Sequence, residues 1–244
     1  MHPVICKFGP LTVYSYGLSL VLAFGIATFL IMRQARKQGQ SPELFFDLTF
    51  IILASGIIGA RILYVALNPQ PYLKEPLQII MLNRGGLAWF GGLISGSLCS
   101  VFYLRRKGLD IYKVFDLAVP YVALAQAIGR VGCLLNGCCY GKESWHFGLY
   151  FPVHQAMLIP TQLYSSLALL GIYIILRLCQ LRVCRRGQIF YLYLFLYASW
   201  RFFIEFFRAD GQAFIFGMTT FQIFSIALFL LSSVMLIKIC RNSP

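Results

Sequence analysis

Gly129-Arg130-Val131-Gly132-Cys133-Leu134-Leu135-Asn136-Gly137-Cys138-Cys139-Tyr140-Gly141 closes a long apolar run with an arginine, an asparagine, three cysteines and four glycines. Glycine lets backbone turn sharply and approach a ligand. A guanidinium at the end of an apolar helix is costly unless it meets an anion, water or the headgroups. Two readings follow: a tight turn with Arg130 reaching the interface, or a polar site at the end of a membrane helix. What stands around this stretch decides between them.

The 244 residues are 59% hydrophobic and only 12% charged, with a mean hydropathy of +0.74. That composition is a polytopic membrane protein's. Seven apolar segments are expected to span, near 11–32, 46–66, 86–104, 112–130, 160–181, 188–207 and 217–238, each close to the ~20 residues a hydrocarbon core requires. The expectation is an all-α integral membrane protein of one domain over 1–244. An arm at 67–85 contains Pro69, Pro71 and Pro76, and a cap at 131–159 holds Trp145, His146, Phe147, Tyr150 and Phe151. The first apolar run has no basic stretch ahead of it and does not read as a cleavable signal peptide.

A net charge of +13 does not point to nucleic acid, because the basic residues fall in short clusters between apolar runs. Arg33, Arg36 and Lys37, then Arg105, Arg106, Lys107 and Lys113, then Arg177, Arg182, Arg185 and Arg186, and finally Lys238 and Arg241 lie on alternate connections. These read as cytoplasmic, so the N-terminus is expected outside and the C-terminus inside. The arm and the cap are then on the outer face.

A helix rises ~1.5 Å per residue through a core of ~30 Å. On that scale Arg61 lies about 22 Å above the inner face, Arg201 about 20 Å and Arg130 about 27 Å. Tyr16, Gly91, Gly92, Gln162 and Tyr164 start their segments from the outside and reach the same level. Three arginines at one depth point to an anion, and a phospholipid phosphate fits a guanidinium fork. The alternative for Arg201 is a structural network with Glu205, four residues on, and Arg208, with Tyr197 one turn earlier on the same face.

The motifs together resemble the bacterial prolipoprotein diacylglyceryl transferases. They are Tyr16-Gly17-Leu18; Gly59-Ala60-Arg61 with Tyr64; Arg84-Gly85-Gly86-Leu87 and Gly91-Gly92-Leu93; Gly129-Arg130-x-Gly132 with Asn136-Gly137 and Gly141; Pro160-x-Gln162-Leu163-Tyr164; and Tyr197 through Arg201 to Glu205-Phe206-Phe207-Arg208. They cover the whole chain. The resemblance implies transfer of a diacylglyceryl group from phosphatidylglycerol to the lipobox cysteine of a preprolipoprotein at the bacterial inner membrane, releasing glycerol phosphate. It associates Arg130 with the lipid phosphate and Arg201 with catalysis. Tyr16 and Glu205 join them as catalytic candidates. Arg61, Gly91, Gly92, Asn136, Gly141, Gln162, Tyr164 and Tyr197 are lipid-binding candidates. No cofactor and no metal are expected, since the histidines lack ligand spacing, and nothing in the sequence sets an oligomeric state.

The chain departs from that family at telling positions. Phe90 and Ile159 stand where the family has histidines, Cys133 where it has asparagine, Cys138 where it has glutamate, and Ser165 where another glutamate follows. Cys133, Cys138 and Cys139 admit three readings: a disulfide stiffening the turn, apolar packing, or a reactive thiol beside Arg130. Two other functions therefore stay open, a paralogue with the same lipid site and another acceptor, and a lipid-binding or thiol-redox membrane protein without transferase activity.

Overall fold

The computed structural model describes residues 1–8, 11–81, 85–182, 185–209, 213–215 and 217–241. Arg84 and Cys184 lie outside them. Among the described residues the regular structure is helical apart from three two-stranded antiparallel sheets. Val4–Phe8 (β1) and Leu11–Tyr14 (β2) form the first hairpin. Seven long helices follow: Ser15–Lys37 (α1), Pro42–Leu67 (α2), Trp89–Arg106 (α4), Ile111–Asn136 (α5), Thr161–Gln180 (α6), Gln188–Glu205 (α7) and Thr220–Arg241 (α8). The short Pro69–Lys74 (α3) and a 3₁₀ turn at Pro76–Ile79 lie within the expected arm. Leu149–Phe151 (β3) pairs with Ala156–Leu158 (β4) in the cap, and Ala213–Ile215 (β5) pairs with Met218–Thr219 (β6) ahead of α8.

Five of these helices, α1, α2, α5, α6 and α8, are long and apolar enough to cross a membrane. Several element ends differ from the expected spans, and three of the differences are informative. Residues 11–14, expected at the start of the first span, are a strand. An apolar run of mixed Leu, Thr, Val and Tyr suits a pleated strand as well as a helix. The fourth helix runs on to Asn136, beyond the expected 130, so that Cys133 is borne on a helix. The last begins at Thr220 because Thr219 and Gln222 build a capping box: Gln222 N–H donates to Thr219 Oγ1 at 3.2 Å and Thr219 N–H to Gln222 Oε1 at 2.9 Å.

The chain divides into two compact units, Met1–Ile31 with Phe115–Pro244, and Met32–Val114. In the larger one, α5, α6 and α7 share a core that includes Ala123, Ala127, Leu169, Leu176 and Ile189. Asp116 near the start of α5 accepts the N–H groups of Gly187 at 2.5 Å and Phe190 at 2.7 Å. These are otherwise orphan donors at the start of α7. In the smaller unit, α2 and α4 approach through glycine: a Cβ on Gly91 would sit 2.3 Å from Gly59 O, and one on Gly92 3.1 Å from Gly56 O. Ser95 Oγ then reaches Ser55 O at 2.8 Å. Small residues at helix crossings of this kind are what lets apolar helices pack in lipid.

Candidate active site

The signature stretch ends α5 in a Schellman motif. Gly137 takes φ +74°, its N–H donates to Leu134 O at 3.2 Å, and Cys138 N–H reaches back to Cys133 O at 3.1 Å. This motif sets the residue three before the cap against the residue two after it. The Cys133-x4-Cys138 spacing therefore makes the two cysteines neighbours. Cys139 follows with φ +64°, a left-handed conformation uncommon for a residue with a side chain. Its carbonyl accepts Thr161 Oγ1 at 2.7 Å, and that of Cys138 accepts Gln162 Nε2 at 2.7 Å. The three sulfurs lie within 4.8 Å of one another.

Gly132 brings α1 to this end of α5. A Cβ there would lie 2.5 Å from Ser19 Cβ and 3.6 Å from Tyr16 Cα. Tyr16 thereby comes within electrostatic reach of Arg130 and of all three cysteines. From α7, Arg201 Nη1 pairs with Glu205 Oε2 at 2.9 Å, and Arg208 Nε lies 3.6 Å from the same oxygen. Glu205 Oε1 accepts Thr219 Oγ1 at 2.9 Å, so the carboxylate is held from three sides. Arg201 also lies over the Phe221 ring, 4.4 Å from its centroid. Its charge interacts with those of Arg208 and Arg130.

Arg130 differs from both. Its half-buried guanidinium has no hydrogen bond or ion pair among the described residues. It nevertheless interacts electrostatically with Tyr16, Cys139 and Arg201. The Cys139 thiol is held below its ordinary range because Cys133 and Cys138 hydrogen-bond to its sulfur, with Arg208 and Arg130 adding positive charge.

The other expected site residues sit as follows. Asn136 is half-buried at the end of α5 and hydrogen-bonds the Cys138 thiol. Gln162 is fully buried, with its Oε1 unpartnered among the described residues. Tyr164 O–H donates to Phe147 O of the cap at 3.4 Å. Tyr197 stacks on Tyr193, 5.8 Å between centroids, and interacts with the Arg201 charge. Gly141 admits no side chain, since a Cβ would meet Phe207 O at 2.5 Å. Its N–H donates to Ile159 O at 2.8 Å.

Arg61, Gly91 and Gly92 belong to the smaller unit, where they have other neighbours. Sequence placed Arg61 among the anion-binding arginines. Its five N–H donors instead go to backbone carbonyls: Nε to Ile79 at 2.9 Å, Nη1 to Gly85 at 2.6 Å and Gly86 at 2.9 Å, Nη2 to Gln78 at 2.6 Å and Met81 at 3.2 Å. Tyr72 covers its face at 5.3 Å. The missing carboxylates that pointed to a phosphate are replaced by the folded arm. Gly91 and Gly92 make the α2–α4 crossing. Sequence reasoning passed over Thr161 and Thr219, whose hydroxyls position Cys139 and Glu205. A threonine at a helix entrance is the signal that would have found them.

A multi-pass helical membrane protein that gathers arginines, a tyrosine and thiols where its helices end has the makings of an enzyme acting on an anionic lipid. The family model for prolipoprotein diacylglyceryl transferase matches residues 3–238, and the chain belongs to that family. It is 31% identical over 232 residues to the phosphatidylglycerol--prolipoprotein diacylglyceryl transferase of Clostridium tetani (strain Massachusetts / E88), covering 93% of each protein. It is 35% identical over 254 residues to the enzyme of that name from Streptococcus pyogenes serotype M5 (strain Manfredo), covering 98% of this chain and 95% of the relative.

Proposed function

We infer that this protein transfers the diacylglyceryl group of phosphatidylglycerol to a prolipoprotein, and that the acceptor is the lipobox cysteine thiol, with glycerol phosphate leaving. The observation that carries the reading is Arg130, a guanidinium with no protein partner among the described residues beside an arginine already tied to an acid. A fork of unspent donors suits two oxygens of a phosphodiester. Arg201, fixed by Glu205, contributes positive charge where the leaving oxygen gains its negative charge, and in a dry site such preorganised charge lowers the barrier. Tyr16, Asn136, Gln162 and Tyr197 offer hydrogen bonds to the headgroup. Gly141 lets the chain pass close to Phe207 O, and Tyr164 ties α6 to the cap. The acceptor thiolate attacks the glyceryl carbon, the C–S bond forms, and the C–O bond breaks with its electron pair passing to the phosphate oxygen.

The same reading includes the setting. Seven helices cross the bacterial cytoplasmic membrane as one polytopic domain, with the N-terminus outside and the C-terminus inside. The arm near 67–85 and the cap within 131–159 lie on the outer face. The alternation of basic connections supports this arrangement.

Purified protein incubated with phosphatidylglycerol and a lipobox peptide should yield a thioether-linked diacylglyceryl peptide, detected by mass spectrometry. A peptide left unmodified by protein of verified fold would refute the assignment.

A further inference from the structure

Three thiols converge on one point: the Schellman end of α5 accounts for Cys133 beside Cys138, and nothing in it requires Cys139 to join them. Cys133 is buried in the last turn of α5, and Cys138 and Cys139 are half-buried just past its end. Apolar packing would not require their sulfurs to face one another. A disulfide would use two of them and leave the third. The surroundings hold the set rigid: Gln162 and Thr161 grip the carbonyls of Cys138 and Cys139, and Cys139 is kept in a strained left-handed conformation. Strain of that kind persists where neighbours over-determine it.

From this geometry we propose that Cys133, Cys138 and Cys139 bind one zinc ion through their three Sγ atoms, with the fourth coordination position taken by the acceptor cysteine of the prolipoprotein. The second half rests on the transferase reading above. Zinc takes thiolate sulfur at about 2.3 Å in a tetrahedron, and sites with three protein ligands keep a position open for substrate. Sulfurs around such an ion stand about 3.8 Å apart, and three that already lie within 4.8 Å need only side-chain rotation to reach it. Three thiolates and a divalent ion leave one negative charge. Arg130 and Arg208, both in electrostatic range of Cys139, offset it.

Such a device suits the chemistry. An attacking thiol must first become a thiolate, and the converging set contains no imidazole to take the proton. His146 is exposed, while His154 lies tilted against Tyr140, 4.1 Å between ring centroids, and has Nε2 2.9 Å from Gly137 O. A thiol entering the fourth position gives its proton to water and is held as a metal thiolate. Its sulfur then attacks the glyceryl carbon as described above. The neutral thioether that results is a weak ligand and departs, and the metal's oxidation state does not change.

The test uses the full-length, reduced protein in lipid nanodiscs, loaded with zinc or cobalt(II) and cleared of loose metal. The expected result is one zinc per chain by elemental analysis, dropping to background in Cys139→Ser and unchanged in Cys99→Ser. Cys139→His, which replaces one ligand with another, should keep the metal with an altered cobalt spectrum. A lipobox peptide should shift the thiolate-to-cobalt absorption, and the same peptide with serine for its cysteine should not. Background zinc in the reduced wild-type protein would overturn the proposal. Thioether formed at full rate by the metal-free protein would overturn the metal's role and leave the transferase standing. Zinc bound one to one with the peptide shift but no thioether would uphold the site and sink the transferase reading.

Discussion

Arg201 Nη1 and Glu205 Oε2 lie 2.9 Å apart, with their side chains only 11% and 1% exposed. Removing one member of a buried pair leaves the other charged and unpaired, at a cost of about 3–5 kcal/mol. Glu205 also meets Arg208 and Thr219, so Glu205→Ala should fall at the upper end of that range. Thermal unfolding in detergent would register it as a lowered Tm, together with loss of thioether product.

Arg130 makes the opposite prediction. Its guanidinium has no protein partner to lose among the described residues, so Arg130→Ala should leave Tm nearly unchanged. Product formation should nevertheless drop by about 100-fold or more, the scale for removing one group that stabilises developing charge. Arg130→Lys retains charge without the fork and should fall between. Paired melting and turnover measurements decide it. An equal loss of stability and activity would mean that Arg130 is structural.

Gly132 and Gly171 are both helical glycines with different neighbours. A Cβ at position 132 would press on Ser19, whereas nothing lies within 4 Å of one at position 171. Gly132→Ala should cost about 1–3 kcal/mol by overpacking and weaken turnover by displacing Tyr16. Gly171→Ala should be neutral or stabilise by about 0.5–1 kcal/mol. Denaturation of the two variants side by side gives the comparison.

Arg61 holds four carbonyls of the arm and that of Gly86. Arg61→Lys offers one ammonium in place of a planar fork and cannot reach them together. Amide exchange in residues 76–81 and 85–86 should then accelerate by more than tenfold, while the α2–α4 crossing, built on Gly59 and Gly91, stays protected. Mass spectrometry of exchanged peptides would show it.

Cys139 is shifted toward thiolate. In metal-free, reduced protein its alkylation should therefore persist as pH falls from 8 to 6, where an ordinary thiol with a pKa of about 8.5 slows roughly tenfold per unit. Peptide mapping after labelling at both pH values would measure this. A tenfold drop per unit at Cys139 would contradict it.

Composition and apolar run length made the long helices legible, and each overlaps an expected segment. Their ends were less so, because hydropathy does not separate Leu11–Tyr14 as a strand from the helix that follows. The Arg201–Glu205 pair was readable from its spacing of four along one helix. The role of Arg61 was not, since its acceptors lie 17 to 25 residues away in an aperiodic arm. The sulfur cluster was half legible. The cysteines could be read as a group beside Arg130, but with the helix expected to end at 130, its Schellman end at Gly137 and the hold of Thr161 and Gln162 on Cys139 and Cys138 required the fold.

Asp116 accepts the first N–H groups of α7 from a distance of 71 and 74 residues. Synthesis runs from the N-terminus, so the acceptor is made and inserted long before the donors emerge from the ribosome. Helix α7, with Arg201 and Glu205 on it, thus arrives at a dock already waiting. An aspartate made early in translation is in place before Arg201 emerges.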